Sequence, residues 1–289
     1  MKIVGLILAR NEEWVLGLSL RAALRWCDHV VVLDHASTDK TGEIVRRAAD
    51  DGEGRITYGR WADGDKWDEM ALRQMTLDMG REAGGTHFAI IDADEFLTCN
   101  LLGQIRGWFG ALRPRECIEL PMVPAWKSLR QYRDDSSVWS GAFITLGFRD
   151  APTLCWKPAG DSYQHHNRPP YGINGGTRPI KDKKFGGVVH AQFANPRRLL
   201  AKHVLYRMVD HLRWPGRESV GALNVKYDQA LDERGIKYSD VPTDWLDKYA
   251  LYIENYYDPE GEPWQESEVR RLLKTHGRGK FTGLDLKGF

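Results

Sequence analysis

Scarce cysteine, negligible net charge and the shortness of every apolar run set the first limits on this chain. Its four cysteines, Cys27, Cys99, Cys117 and Cys155, are scattered and form no C-x-x-C pair. That spacing indicates neither a disulfide framework nor a zinc cluster, and it fits a reducing cytoplasmic compartment. Lys plus Arg total 41 against 40 Asp plus Glu, a net charge of +1. No bulk field therefore draws the protein to nucleic acid or anionic lipid, although a local basic patch remains open to it. The apolar stretch Ile3 to Ala9 is too short to span a bilayer, and no small-residue cleavage pattern follows it. A first strand is expected there in place of a signal peptide. No later run reaches spanning length, so no integral membrane segment is expected, and there is neither an internal repeat nor a low-complexity segment. What remains is an ordinary globular composition, 42% hydrophobic and 28% charged over 289 residues, long enough to bury a sizeable core.

The first hundred residues alternate between two periods. Strands are expected at 3–9, 29–34, 55–61 and 87–92, and helices at 12–26, roughly 41–50 and roughly 67–83. Strand starts 26–32 residues apart are the spacing of successive βαβ units, which implies a parallel sheet with helices on both faces. Further on, the pattern predicts a short helix near 101–112, strands at 117–123, 139–148 and about 185–190, and a long loop over 157–187 rich in Gly, Pro, Asn and His. Asn195-Pro196 reads as a helix cap with a first-turn proline, opening a helix that runs to Trp214-Pro215. The tail reads as mainly helical, with 277–289, which carry four glycines, as a loose end.

In such sheets ligands bind beyond the carboxyl ends of the strands. The loops to inspect are Arg10 to Glu12, Asp34 to Asp39, Asp63 to Lys66 and Asp92 to Glu95, all polar. In the last, Asp92-Ala93-Asp94-Glu95-Phe96 closes the buried run His87 to Ile91. Positions two apart in an extended chain point the same way, so Asp92 and Asp94 can converge. Two carboxylates that close repel unless a cation sits between them, and a hard divalent ion with a phosphate on its far side resolves the conflict. A plain surface turn is an equal reading of the pentapeptide alone. Its place beside three other polar strand-end loops favours the metal.

Ala9-Arg10-Asn11-Glu12-Glu13, the run Leu33 to Thr41 (Leu-Asp-His-Ala-Ser-Thr-Asp-Lys-Thr) and Asp92-Ala93-Asp94-Glu95-Phe96 stand in order, each at a strand end. Together they resemble the family 2 glycosyltransferases of the GT-A fold, in the branch with an Asp-x-Asp-Glu-Phe motif. The resemblance is strong over 1–100 and weaker over 185–203. It implies an α/β, Rossmann-like, mostly parallel sheet flanked by helices over 1–195, with a helical C-terminal extension over 196–289. It implies a UDP- or GDP-type sugar donor, and Mn2+ or Mg2+ acting as a Lewis acid on the departing diphosphate. The nucleoside would be held by Ala9, Arg10, Asn11, Glu12, Asp34, Ser37 and Asp39. Asp92 would face ribose or metal, Asp94 would ligate the metal, and His190, ahead of a helix carrying Lys202, would complete the shell.

Other readings stay open at single residues. Asn11 and Ser37 can merely cap helices, and Asp39 can serve the first turn of its own. Lys66 and Arg73 can reach the diphosphate, or belong to a polar turn and a solvated helix face. The family's usual downstream Glu-Asp base is absent, which leaves Asp161, in the loop with His165 and His166, then Asp182, and Glu95 if it does not brace the metal loop. Trp126, Trp139 and Trp156 fall where the fold builds its acceptor side, yet each is more often core. The basic residues Arg197, Arg198, Arg207, Arg213 and Arg217 read as a solvated helix face or as contacts to a phosphate-bearing acceptor. The expected activity is transfer of a sugar to an acceptor hydroxyl with inversion, the acceptor (glycan, protein, lipid-linked or nucleic acid) being unspecified. A sugar nucleotidyltransferase would need the glycine-rich loop that Ala9 to Glu12 lack, and a non-catalytic nucleotide-sugar or carbohydrate-binding protein would not need the intact Asp-x-Asp.

Overall fold

Alternating apolar residues on the central strands bury both faces of one sheet. The computed structural model describes residues 1–51, 54–64, 68–157 and 168–289. Strands β1 (Ile3–Ala9), β2 (His29–His35), β3 (Ile56–Trp61) and β4 (His87–Asp92) are linked by helices α1 (Leu16–Ala23), α2 (Thr41–Asp51) and α3 (Glu69–Glu82). Ile3, Ile7 and Ala9 of β1 pack with α1 and α2, whereas Val4 and Leu6 pack with α3, Phe88 and Ile90. This period of two is what a strand covered on both faces requires.

After β4 come β5 (Glu95–Leu97), α4 (Ile105–Gly110), β6 (Glu116–Pro124), β7 (Gln131–Arg133), β8 (Phe143–Arg149), β9 (Gly175–Thr177) and β10 (Val188–His190). Among the described residues the main sheet has nine strands in the order β3-β2-β1-β4-β8-β6-β10-β5, with β9 beside β6. The four βαβ strands run parallel, and β8 lies antiparallel to both β4 and β6. Chain order reverses between β1 and β4, where Leu8 pairs with Asp92. That is the switch point at which a doubly wound sheet opens a crevice. The chain ends in α5 (Pro196–Arg213), α6 (Val220–Asp228), the short strand β11 (Tyr238–Asp240), α7 (Ala250–Tyr256) and α8 (Trp264–His276). Helices α5, α6 and α8 share an apolar core around Val204, Met208, Tyr227 and Val269. Among the described residues no helix is long and apolar enough to cross a membrane.

Four expectations need correction. The helix expected over 12–26 is confined to α1, with turns at 13–15 and 24–26, and the N–H groups of Asn11, Glu12 and Glu13 are donated across to Ser37, Thr41 and Asp39. The helix expected over 101–112 is the single short α4, set off from a 3-10 turn at Cys99–Leu101. Strand β8 starts at Phe143, since Ser137 O accepts from Ser140 N and Gly141 N and closes a turn there. The loose end is ordered. Gly277 and Gly283 adopt φ of 75° and 85° and turn the chain back, burying Phe281 and Leu284 against α5 and α6, while Asn224 bonds both Gly283 O and Asp285 N.

At the start of β4, burial, then the charges of Arg149 and the N-terminus, push His87 down to about 4. The unfolded chain takes up its proton near pH 6.5. Between those values the unfolded state binds more protons, so stability is whole above about 6.5 and falls as pH drops toward 4. Thermal denaturation across that window should show a falling midpoint, and His87→Gln should flatten the fall.

Candidate active site

The loops after β1 and β2 are built to hold one another. Asn11 takes a left-handed φ of 53°, which asparagine tolerates better than most residues. Its Oδ1 accepts from Thr38 N at 2.7 Å, and its own N–H donates to Ser37 Oγ at 2.9 Å. Asp34 is fully buried and accepts from Ser37 N and Tyr58 Oη, both at 2.8 Å. Asp39 accepts from Thr41 N and Glu13 N, the helix-turn role that its position allowed. Asn11, Asp34, Ser37 and Asp39, expected at the nucleoside, thus spend their polar groups on the scaffold. Ala9, Arg10 and Glu12 do line a cleft of about 480 Å3 at the switch point.

At the end of β4 three carboxylates leave a buried strand within four residues, and the fold divides them. Asp92 Oδ1 accepts from Arg73 Nη2 at 3.0 Å, and its Oδ2 from Arg168 Nη1 at 3.1 Å. Burial would raise the Asp92 pKa, but Arg168 and Arg73 outweigh it and hold the group well below the usual carboxylate range. Glu95, 1% exposed, has both oxygens on Arg168, and its Oε2 also accepts from Asp92 N. It is placed as the brace of this loop and not as a free base. Arg168 further donates to Ile90 O and Thr145 O, so one guanidinium ties β4, β5 and β8 together. No local pattern marks Arg168 in the sequence; it reads as one basic residue in a Gly/Pro-rich loop. Arg73, for which a solvated helix face was the alternative, is instead a buried wall of the cleft, paired with Glu69 and Asp92.

Asp94 takes the other course. Its Oδ1 lies 3.4 Å from His190 Nε2, because β10 pairs with β5 and sets His190 opposite Glu95. Burial opposes charge on both. The attraction between them prevails, lowering Asp94 and raising His190 from their ordinary values. Lys202 of α5 stands in the same field, and its amine donates to Gln192 Oε1. Burial works against its charge, yet Tyr206, Asp94 and Glu12 raise its pKa. Glu12, on the cleft wall, is raised to about 8 by burial and then by Asp94. Asp94 is thus set among Glu12, His190 and Lys202, each with its pKa raised.

The three-ligand metal set expected from the sequence is not assembled. Among the described residues no group of three His, Cys, Asp or Glu side chains is placed to hold one ion, and guanidinium groups take both oxygens of Asp92. Asp94 and His190 still fit as two ligands. Neighbouring ligands about 2.1 Å from an octahedral ion lie about 3 Å apart, and Mg2+-type ions commonly take one or two protein ligands and leave the rest to phosphate and water. His190 Nδ1 lies 3.4 Å from both Met122 Sδ and Gln192 Nε2, so a tautomer that bares Nε2 would turn its Nδ1 proton to Met122 and give up the contact with Gln192.

Of the three tryptophans, Trp126 and Trp156 are core residues, while Trp139 lines the cleft with its ring 5.6 Å from Phe193. Of the five arginines, only Arg213 lines it; Arg197 and Arg207 pair with Glu266 and Asp228. Asp182 caps a short turn at Lys184. Lys66, Asp161, His165 and His166 lie outside the described residues.

No protein-family model and no curated protein matches this chain. Among solved structures it is similar to S. aureus TarS 1-349 in complex with UDP-GlcNAc, at 14% identity over 97% of this chain and 88% of that one, with a TM-score of 0.47. It is also similar to glucosyl-3-phosphoglycerate synthase from Mycobacterium tuberculosis in complex with Mn2+, uridine diphosphate and phosphoglyceric acid. That match has 20% identity over 43% of each chain and a TM-score of 0.28. At such scores neither decides the fold or activity of this chain, which rest on its own topology and side chains.

Removing one partner of a buried ion pair costs about 3–5 kcal/mol. Arg168→Met should lower unfolding stability by about that amount in urea titration, because the buried Glu95 loses its ion-pair partner, and Arg168→Lys should recover part of it.

Proposed function

We propose that this chain is a metal-dependent glycosyltransferase of the GT-A fold and family 2 type. It would move a sugar from a UDP- or GDP-type donor to an acceptor hydroxyl, with inversion. The observation that carries this reading is the Asp94–His190 pair on the wall of the switch-point cleft, with Arg73 and Lys202 on the same wall. A carboxylate and an imidazole of this kind suit Mn2+ or Mg2+, and such an ion would stabilise charge on the departing diphosphate.

The chain's own residues supply the remainder. Lys202, kept protonated beside Asp94 and Glu12, offers a cation to phosphate oxygens. Arg73 holds Asp92 ionised and fixed, so that the loop carrying Asp94 does not shift as a diphosphate enters. Helices α5 and α8 line the cleft with Lys202, Tyr206 and Arg271. Base catalysis by Asp161 remains part of the proposal. Glu95 is committed to Arg168.

Incubation with a panel of UDP- and GDP-sugars and Mn2+ should release nucleoside diphosphate, and Asp94→Ala should reduce that release about a hundredfold or more. His190→Ala should weaken Mn2+ binding about 10- to 100-fold and regain activity at high Mn2+. Release of pyrophosphate instead would assign the site to nucleotidyl transfer, and nucleotide-sugar binding without turnover on any acceptor would make it a binding protein.

A further inference from the structure

Gln192 stands between His190 and Lys202 on the wall of the cleft. It lies in the 3-10 turn Ala191–Phe193 that follows β10, and Ala191 N ties that turn to Asp94 O at 2.8 Å. Its amide oxygen accepts from Lys202 Nζ at 3.0 Å, and its amide nitrogen lies 3.4 Å from His190 Nδ1. Chemistry fixes that orientation. An ammonium only donates, so the amide oxygen faces Lys202 and the N–H edge is left for His190. The imidazole is packed T-shaped against the buried Phe193, at 82° with centroids 6.0 Å apart.

An amide N–H beside Nδ1 is met only when Nδ1 is bare, and the neutral ring then carries its proton on Nε2, toward Asp94 Oδ1 at 3.4 Å. A metal ion at Nε2 needs the other tautomer. With Lys202 in place, a proton on Nδ1 would find the Met122 thioether, a weak acceptor at 3.4 Å, and an opposed amide N–H. Once Lys202 moves to a phosphate, the amide is free to turn and offer its oxygen to Nδ1–H. Among the described residues Lys202 makes only the hydrogen bond to Gln192, so a diphosphate has one such bond to displace.

We propose that Gln192 is a positioning residue that couples phosphate to metal. Held by Lys202, it keeps the His190 proton on Nε2. Released, it accepts from Nδ1–H, the proton passing from Nε2 to Nδ1 through solvent, and Nε2 is bared for the ion. This coupling rests on the metal and donor reading above. Imidazole nitrogen NMR of the metal-free full chain, at a pH where His190 is neutral, reads the proton directly. The wild type should show Nε2–H. Lys202→Met should move the proton to Nδ1, and so should Gln192→Glu, whose two oxygens can accept from Lys202 and Nδ1 together. Calorimetry reads the consequence for Mn2+. Removing a nearby cation strengthens Mn2+ binding by charge alone, whichever residue stands at 192. Lys202→Met should therefore tighten Mn2+ binding about fivefold more in the wild-type background than in a Gln192→Leu background. An equal gain in both backgrounds overturns the proposal, as does a tautomer that Lys202→Met leaves unchanged. Wild-type protein that binds no Mn2+, alone or with UDP or GDP, refutes the metal reading itself, and the spectra still decide whether Lys202 governs the tautomer.

Discussion

Negative charge concentrated at the end of one buried strand governs this structure. Asp92, Asp94 and Glu95 follow β4 within four residues, and carboxylates withdrawn from water must be paired or protonated. Arg168 answers for Glu95 and half of Asp92, and Arg73 for the other half. Asp94 alone keeps a softer arrangement, with an imidazole at 3.4 Å and an ammonium in its field. Two carboxylates are thereby made structural, and the third stands beside His190 on the wall of the cleft.

The same division explains how rigidity and access coexist around the cleft. The loops after β1 and β2 are cross-bonded through Asn11, Asp34, Ser37 and Asp39, which ties the floor of the crevice together. Helices α5 and α8 line the same cleft and bring charged groups such as Lys202 and Arg271 to it. Lys202 on α5 and Gln265 on α8 come from the C-terminal third of the chain, yet they face the strand ends of its first third. That third is therefore part of the site's wall and not a remote appendage.

The architecture was legible because its signals are local. Period-two apolar runs with polar loops about thirty residues apart define β1 to β4, and the Asn195-Pro196 cap marks the start of α5. The Asp-x-Asp pair and His190 were visible by type and place, and Asp94 and His190 do meet. The expected partnership of Asp92 with them did not form, because its oxygens belong to arginines whose approach no local pattern announces. Likewise the glycines near the end suggested a loose tail, whereas they turn the chain so that Phe281 and Leu284 can be buried.

Sequence alone therefore indicated the parallel half of the sheet and the strand-end position of the carboxylates, since each follows from periodicity and turn chemistry over a few residues, while the histidine opposite them was implied by the family resemblance. Tertiary structure decided which carboxylates pair with arginine and which with the histidine. Arg168 reaches Glu95 and Asp92 from 73 and 76 residues away along the chain, and α8 reaches Arg10 from the other end of the molecule. Contacts at that separation depend on how sheet and helices pack as a whole, so no stretch of residues read by itself contains them.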